Sequence, residues 1–236
     1  MIKTKDIKYY VKNLNVLYED NHVIVIEKPA DILSQGDKTG DFAITDVVNE
    51  YLKEKYNKPG EAYVGLVHRL DRRVSGVMVL AKTSKAASRL SDDIKNHNMT
   101  KYYCVKVEGE IKTKEEWNNV KLYIAKDEKT NIAYVSKKDG KKSELLYKVL
   151  GYDNYKGKIY TYLYVNLITG RYNQIRLTFS NLGYPVFGDT KYGGSQHDEL
   201  GLCCYKMKFI HPTKKEWMEF ETRPIGKIWQ NLPEIK

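Results

Sequence analysis

The chain is poor in the residues that staple or interrupt a fold. Its 236 residues include three cysteines and six prolines, and nowhere do about 18 apolar residues run together, the length a membrane helix needs. Cys104, Cys203 and Cys204 are odd in number and two are adjacent, which argues against a disulfide framework and for a reducing compartment. No C-x-x-C pair occurs, and His22, His68, His97, His197 and His211 lie far apart. A zinc site is therefore not expected, and no metal is. The first residues, Met1 to Asp6, are polar and charged where a secretory leader needs an apolar core. A soluble protein with no membrane association is expected, located in the cytoplasm. There is no internal repeat and no Pro- or Ser-rich linker.

Positive charge and tyrosine are abundant. Forty Lys and Arg stand against 30 Asp and Glu, a formal charge of +10, with 20 tyrosines among them. The charge points to a polyanionic partner, and aromatic faces among lysines suit the stacking of unpaired bases. Tyrosine also favours strands, so its number alone identifies nothing.

Along the chain, residues 1–14 carry Lys3, Lys5, Lys8 and Lys12 with Tyr9 and Tyr10 between them and read as a short basic arm. Val16-Leu17-Tyr18 and Val23-Ile24-Val25-Ile26 flank a polar turn, a hairpin pattern. Between Asp41 and Tyr56, Ile44, Val47, Val48, Tyr51 and Leu52 follow the helical period. A second helix is expected from Ser84, with that serine as its cap, and a third over about 172–181, with Gly183 as its stop and Ile175, Phe179 and Leu182 as its apolar stripe. Strands are expected near 63–66, 77–81, 101–109, 120–124, 133–135, 144–150, 158–167, 202–210 and 217–221. In 158–167, Tyr160, Tyr162 and Tyr164 alternate with Ile159, Leu163 and Val165, predicting one core face and one more amphipathic face. Strands outnumber helices in a mainly hairpin-connected order, so the fold expected is α+β, a single domain over 15–236 with a mixed, largely antiparallel central sheet flanked by helices.

The most informative segment is Leu66-Val67-His68-Arg69-Leu70-Asp71-Arg72-Arg73-Val74-Ser75-Gly76, one carboxylate among three guanidinium groups. If extended, it aims Arg69, Asp71 and Arg73 to one side and turns Leu70 inward. Nearby cations favour the charged form of an acid, so Asp71 is expected to be ionised, suited to attack or proton abstraction rather than to general-acid work. The plainer alternative is a surface loop in which Asp71 merely relieves repulsion between arginines.

These segments, in this order, resemble the RluA family of pseudouridine synthases. His68 to Gly76 is similar to its H-R-L-D-x-x-T-S-G motif, with Val74 where threonine is usual. Tyr18-Glu19-Asp20 with Glu27-Lys28-Pro29-Ala30, Lys101-x-Tyr103 with Val107-x-Gly109, and Thr169-Gly170-Arg171-Tyr172-Asn173-Gln174-Ile175-Arg176 match three further motifs. In the last, Tyr172-Asn173 replaces Thr-His. The resemblance implies the pseudouridine synthase fold without a separate N-terminal RNA-binding domain. It also implies RNA as partner, ribosomal or transfer, and an isomerisation that needs no cofactor.

By the same resemblance Asp71 is the catalytic residue, either as nucleophile at the anomeric carbon or as base on a ribose proton. Tyr103 stacks on the target uracil, and Arg176 pairs with Asp71. Arg69 wedges against the RNA, while Arg72 and Arg73 either touch phosphate or are simply solvated. His68 is expected to be packed and structural, and the chain to be a monomer. A catalytically degenerate RNA-binding module of the same fold is the alternative. Glycoside hydrolysis would want a second carboxylate held protonated, which the arginine-rich setting opposes.

Overall fold

The computed structural model describes residues 6–37 and 39–235. It is an α+β fold, and it gathers into two compact units, one formed by residues up to Met99 with Lys206–Thr222, the other by Thr100–Tyr205 with the residues from Arg223 onward. The chain passes between them three times, once inside a strand, between Tyr205 and Lys206. No helix among the described residues is long and apolar enough to cross a membrane.

The first unit contains α1 (Ile7–Lys12), β1 (Asn15–Glu19), β2 (Val23–Lys28), α2 (Ile44–Tyr56), β3 (Gly65–Leu66), β4 (Ser75–Ala81), α3 (Ser84–Lys95), the second half of β10 (Leu202–Ile210) and β11 (Trp217–Glu221). β2 lies between β1 and β4 in antiparallel register, with Ile26 opposite Met78 and Lys28 opposite Gly76. Val23–Ile26 and Val77–Ala81 are fully buried, so these strands are apolar on both faces rather than alternating. Ile44, Val47, Val48 and Leu52 of α2 pack with Ile24, Ile26, Met78 and Leu80 in one core. Each such side chain, fully buried, contributes about 1.5–3 kcal/mol.

Two local features differ from the sequence expectation. Of the segment read as an arm, Lys3 and Lys5 lie outside the described residues, but Ile7–Lys12 is helical and Val11 is buried. Ile7, Tyr10, Val11 and Leu14 all join the α2 core, a helical period that the intervening lysines obscure. At α3 the cap is Thr83, whose Oγ1 accepts from the Ala86 N–H at 3.1 Å, and Ser84 is the first helical residue. Thr83 has the extended backbone that a cap requires.

The second unit contains β5 (Thr100–Glu108), β6 (Asn118–Asp127), β7 (Ile132–Val135), β8 (Lys141–Tyr155), β9 (Lys158–Leu167) and α4 (Gln174–Asn181), with the first half of β10 and single turns of 3₁₀ helix at Thr190–Tyr192 and Lys227–Trp229. Its strands run antiparallel in the order β5, β9, β8, β6, β7. Lys156 and Gly157 both take positive φ, 53° and 75°, the two-residue turn whose twist matches a long hairpin.

β9 is buried on both faces from Tyr160 to Val165, not amphipathic on one. Trp229 and Leu232, from the last residues of the chain, cover Tyr162. The Lys106 ammonium lies over the rings of Tyr160 and Tyr162 and is paired with Asp153 at 2.5 Å. In α4 the buried face is wider than the expected stripe, taking Gln174, Ile175, Leu177, Thr178 and Phe179, whereas Leu182 is exposed. Gly183 follows with φ 86°, the left-handed stop expected there.

Candidate functional site

The segment around Asp71 is a turn rather than an extended strand. The Val74 N–H donates to the Asp71 carbonyl at 3.0 Å, which puts Arg72 and Arg73 at its tip instead of aligning Arg73 with Asp71. Leu70 points inward, 5 % exposed, and Val74 is buried as well. Ser34 anchors the approach twice over, donating from Oγ to the Leu70 carbonyl at 2.6 Å and accepting the Leu70 N–H at 3.0 Å. The far side is held by Lys28. Its register opposite Gly76 places the ammonium beneath the turn, where Nζ donates to the carbonyls of Pro29 (2.8 Å), Ile32 (2.8 Å) and Arg72 (3.2 Å). Burial brings the Lys28 pKa down to about 7, against the opposing pull of Asp31 and Asp71. Neither Ser34 nor Lys28 figures among the residues expected at the site.

The arginines of the segment have different surroundings. Arg72 donates from Nη1 to Asp41 at 2.7 Å and from Nε to the Asp31 carbonyl at 3.3 Å. Arg69 is exposed, and Arg73 half-buried. His68 is buried, and its Nε2 accepts the Val79 N–H at 3.1 Å, a contact that packs the ring onto β4.

Tyr103 and Arg176 belong to the second unit. Tyr103 is buried on β5, in hydrogen-bond contact with Cys204. The Cys204 thiol is pushed up to about 12 by burial, against the pull of Lys101 and Tyr103. Lys101, two residues from Tyr103 along β5, is itself lowered by burial. Tyr102 has a separate neighbour, stacking on Tyr164 with centroids 5.2 Å apart.

Arg176 on α4 makes a two-point ion pair with buried Asp189, Nε to Oδ2 at 2.7 Å and Nη2 to Oδ1 at 2.6 Å, and its guanidinium lies 5.2 Å from the centre of the Tyr192 ring. Such a fork fixes the plane of the guanidinium as well as its position. Asn173 precedes α4 with φ 50°. Its Nδ2 donates to the Tyr192 hydroxyl at 3.0 Å, while its buried Oδ1 has no hydrogen-bond partner among the described residues.

The sequence profile described as RNA pseudouridylate synthase matches residues 22–181. The chain belongs to that family. The synthase is 34% identical over 223 residues to an uncharacterised RNA pseudouridine synthase of Aquifex aeolicus, an alignment covering 88% of this chain and 68% of that protein. It is 30% identical to ribosomal large subunit pseudouridine synthase C of Vibrio parahaemolyticus, covering 90% and 66% respectively. The synthase thus spans about two thirds of the length of these relatives. Its fold is similar to those of human RNA pseudouridylate synthase domain containing 4 (TM-score 0.75, 20% identity, 94% of each chain) and domain containing 1 (TM-score 0.73, 24% identity, 91% of this chain and 84% of that one). Its activity is that of a pseudouridine synthase, an RNA-modifying isomerase.

Proposed function

We propose that the synthase isomerises specific uridines in structured RNA, with ionised Asp71 as the reagent that acts on the ribose. Breaking the bond from ribose to uracil nitrogen, turning the base and rejoining it through carbon oxidises nothing and imports no group. One correctly held carboxylate is the central requirement. The observation that carries this reading is the construction of the Asp71 turn. A carboxylate stands at the head of a reverse turn whose backbone is tied on one side to Ser34 and on the other to a buried ammonium, so the backbone that bears it is held by neighbouring groups. Tyr103 is assigned to stack on the uracil and Arg176 to act as the cationic counterpart of the carboxylate. Arg69 is assigned to wedge against the RNA, and Arg72 and Arg73 to touch its phosphates. Asp71 serves either as nucleophile or as base on the ribose.

Ribosomal RNA is favoured as the substrate over transfer RNA, because relatives at 30% identity carry large-subunit ribosomal names. The test is to map pseudouridines across total RNA incubated with wild-type protein, Asp71→Asn and Asp71→Ala. Wild type should add pseudouridine at a few positions. Both variants should add none while binding RNA within a few-fold of wild type. Wild-type protein that binds RNA but leaves every uridine unchanged would instead identify a degenerate binding module, and retained turnover in Asp71→Asn would remove the aspartate from the mechanism.

A further inference from the structure

At position 172 this chain has a tyrosine where the motif it resembles has threonine, and the residue is 37 % exposed. Two ammonium groups converge on its ring. Lys126, near the end of β6, places Nζ 5.0 Å from the ring centre, and Lys191 places its own at 5.3 Å while donating to the Tyr172 hydroxyl at 3.4 Å. Lys191 also donates to the Asn131 carbonyl at 2.5 Å, and Lys126 pairs with Glu128 at 2.5 Å. Glu128 is 78 % exposed, so that pair is screened and exchangeable. The other nearby carboxylate, Asp127, is occupied by the N–H groups of Lys129 and Thr130. The cluster continues toward Arg176, because the Tyr192 ring has the Lys191 ammonium 6.0 Å and the Arg176 guanidinium 5.2 Å from its centre.

We propose that Tyr172, Lys126 and Lys191 form a docking subsite for an unpaired nucleotide of the substrate RNA, the ring taking the base and the two ammoniums the adjacent phosphates. This rests on the reading of the synthase as an enzyme of structured RNA. The physical case is an exchange of partners. An exposed cation–π contact is weaker than the stacking of a base on an aromatic ring, so an incoming base displaces an ammonium from the ring face, and the released ammonium meets a phosphate nearby. The subsite is indifferent to which base it receives, since every base has a π face. It therefore holds a strand in place without selecting its sequence.

Fluorescence anisotropy with a labelled twelve-residue oligouridine tests this. Tyr172→Ala should raise Kd by about 5- to 150-fold, the affinity of roughly one base stack, and Tyr172→Phe should stay within about twofold. Lys126→Gln combined with Lys191→Gln should reduce the slope of log K against log salt by roughly 1.4, two single-strand phosphates. This variant pair serves independently if Tyr172→Ala folds poorly. The proposal falls if Tyr172→Ala binds like wild type, if Tyr172→Phe loses as much as Tyr172→Ala, if the salt slope is unmoved, or if wild type does not bind the oligouridine. Pseudouridine formation by wild type is scored separately. Absent isomerisation with a Tyr172-dependent Kd would keep the subsite and sink the enzymatic reading, and the converse pattern would do the reverse.

Discussion

Asp71 in the first unit and Arg176 in the second are charged residues of opposite sign held by opposite means. The turn that bears Asp71 is fixed through backbone groups, by Ser34 and by the three carbonyls gathered on Lys28. Arg176 is fixed through its own guanidinium, by two hydrogen bonds to a carboxylate that has no exposure. A backbone-held site keeps its shape when the reactive side chain is changed. A side-chain-held site does not, because the partner left behind is a buried charge deprived of its two-point ion pair.

The largest expected effect comes from breaking the second arrangement. Asp189→Ala should lower stability in urea by about 3–5 kcal/mol, since it removes the two-point partner of a mostly buried guanidinium, whereas Asp71→Ala should lower it by less than about 1 kcal/mol. Equal losses would dissolve the contrast.

Next in size is a test of whether the manner of holding, rather than the unit, decides. Glu19 of the first unit is also held through its side chain, by Lys82 at 2.5 Å, Lys55 and Tyr56 at 2.7 Å, and Tyr51 at 3.2 Å. Burial would raise its pKa, but the hydrogen bonds from Lys55, Lys82 and Tyr56 outweigh it and bring the value from 4.5 to about 2. Between those values the unfolded chain binds more protons than the folded one. The resulting stability, about 3 kcal/mol, is therefore complete above pH 4.5 and lost as pH falls toward 2. Glu19→Gln should flatten that acid limb in urea titrations at pH 3 and pH 6.

The smallest effect among the buried charges belongs to Lys28→Met, which leaves three carbonyls without their shared donor but removes a buried ammonium. A net loss of about 2 kcal/mol is expected near neutral pH. With its folded pKa near 7 and its unfolded value at 10.5, Lys28 binds more protons in the unfolded chain between those limits. Its contribution thus grows as pH rises from 7 toward 10.5, so the gap between wild type and Lys28→Met should widen from pH 7 to pH 9. A gap that stays constant between pH 7 and pH 9 would show that the ammonium remains charged in the fold.

Much of the scaffold is legible in the sequence where one physical signal dominates. The helical period of α2, the β1–β2 hairpin and the β10–β11 pair are all found at their expected places. What escapes is decided by contacts between distant residues. α1 looks polar until its apolar positions meet the α2 core, and the tyrosine face of β9 looks wet until Trp229 and Leu232 cover it. The same holds at the candidate site. The motifs single out Asp71, Tyr103 and Arg176, but the groups that hold them lie elsewhere in the chain. Ser34 is 36 residues from Leu70, Lys28 is 44 from Arg72, and Asp189 is 13 from Arg176. Local periodicity carries no trace of such pairs. The departure at Val74 becomes intelligible for the same reason, since a residue only 2 % exposed needs no hydroxyl.

The route of the chain sets a timetable for its own synthesis. The first unit lacks β11 and half of β10 until residue 222 has been made, and the second closes over Lys106 only when the Ile228 carbonyl and Trp229 arrive. Neither half can finish on a growing chain in the usual order, N-terminal body first. A chain cut after Pro224 would therefore leave the buried Lys106 ammonium without its ceiling.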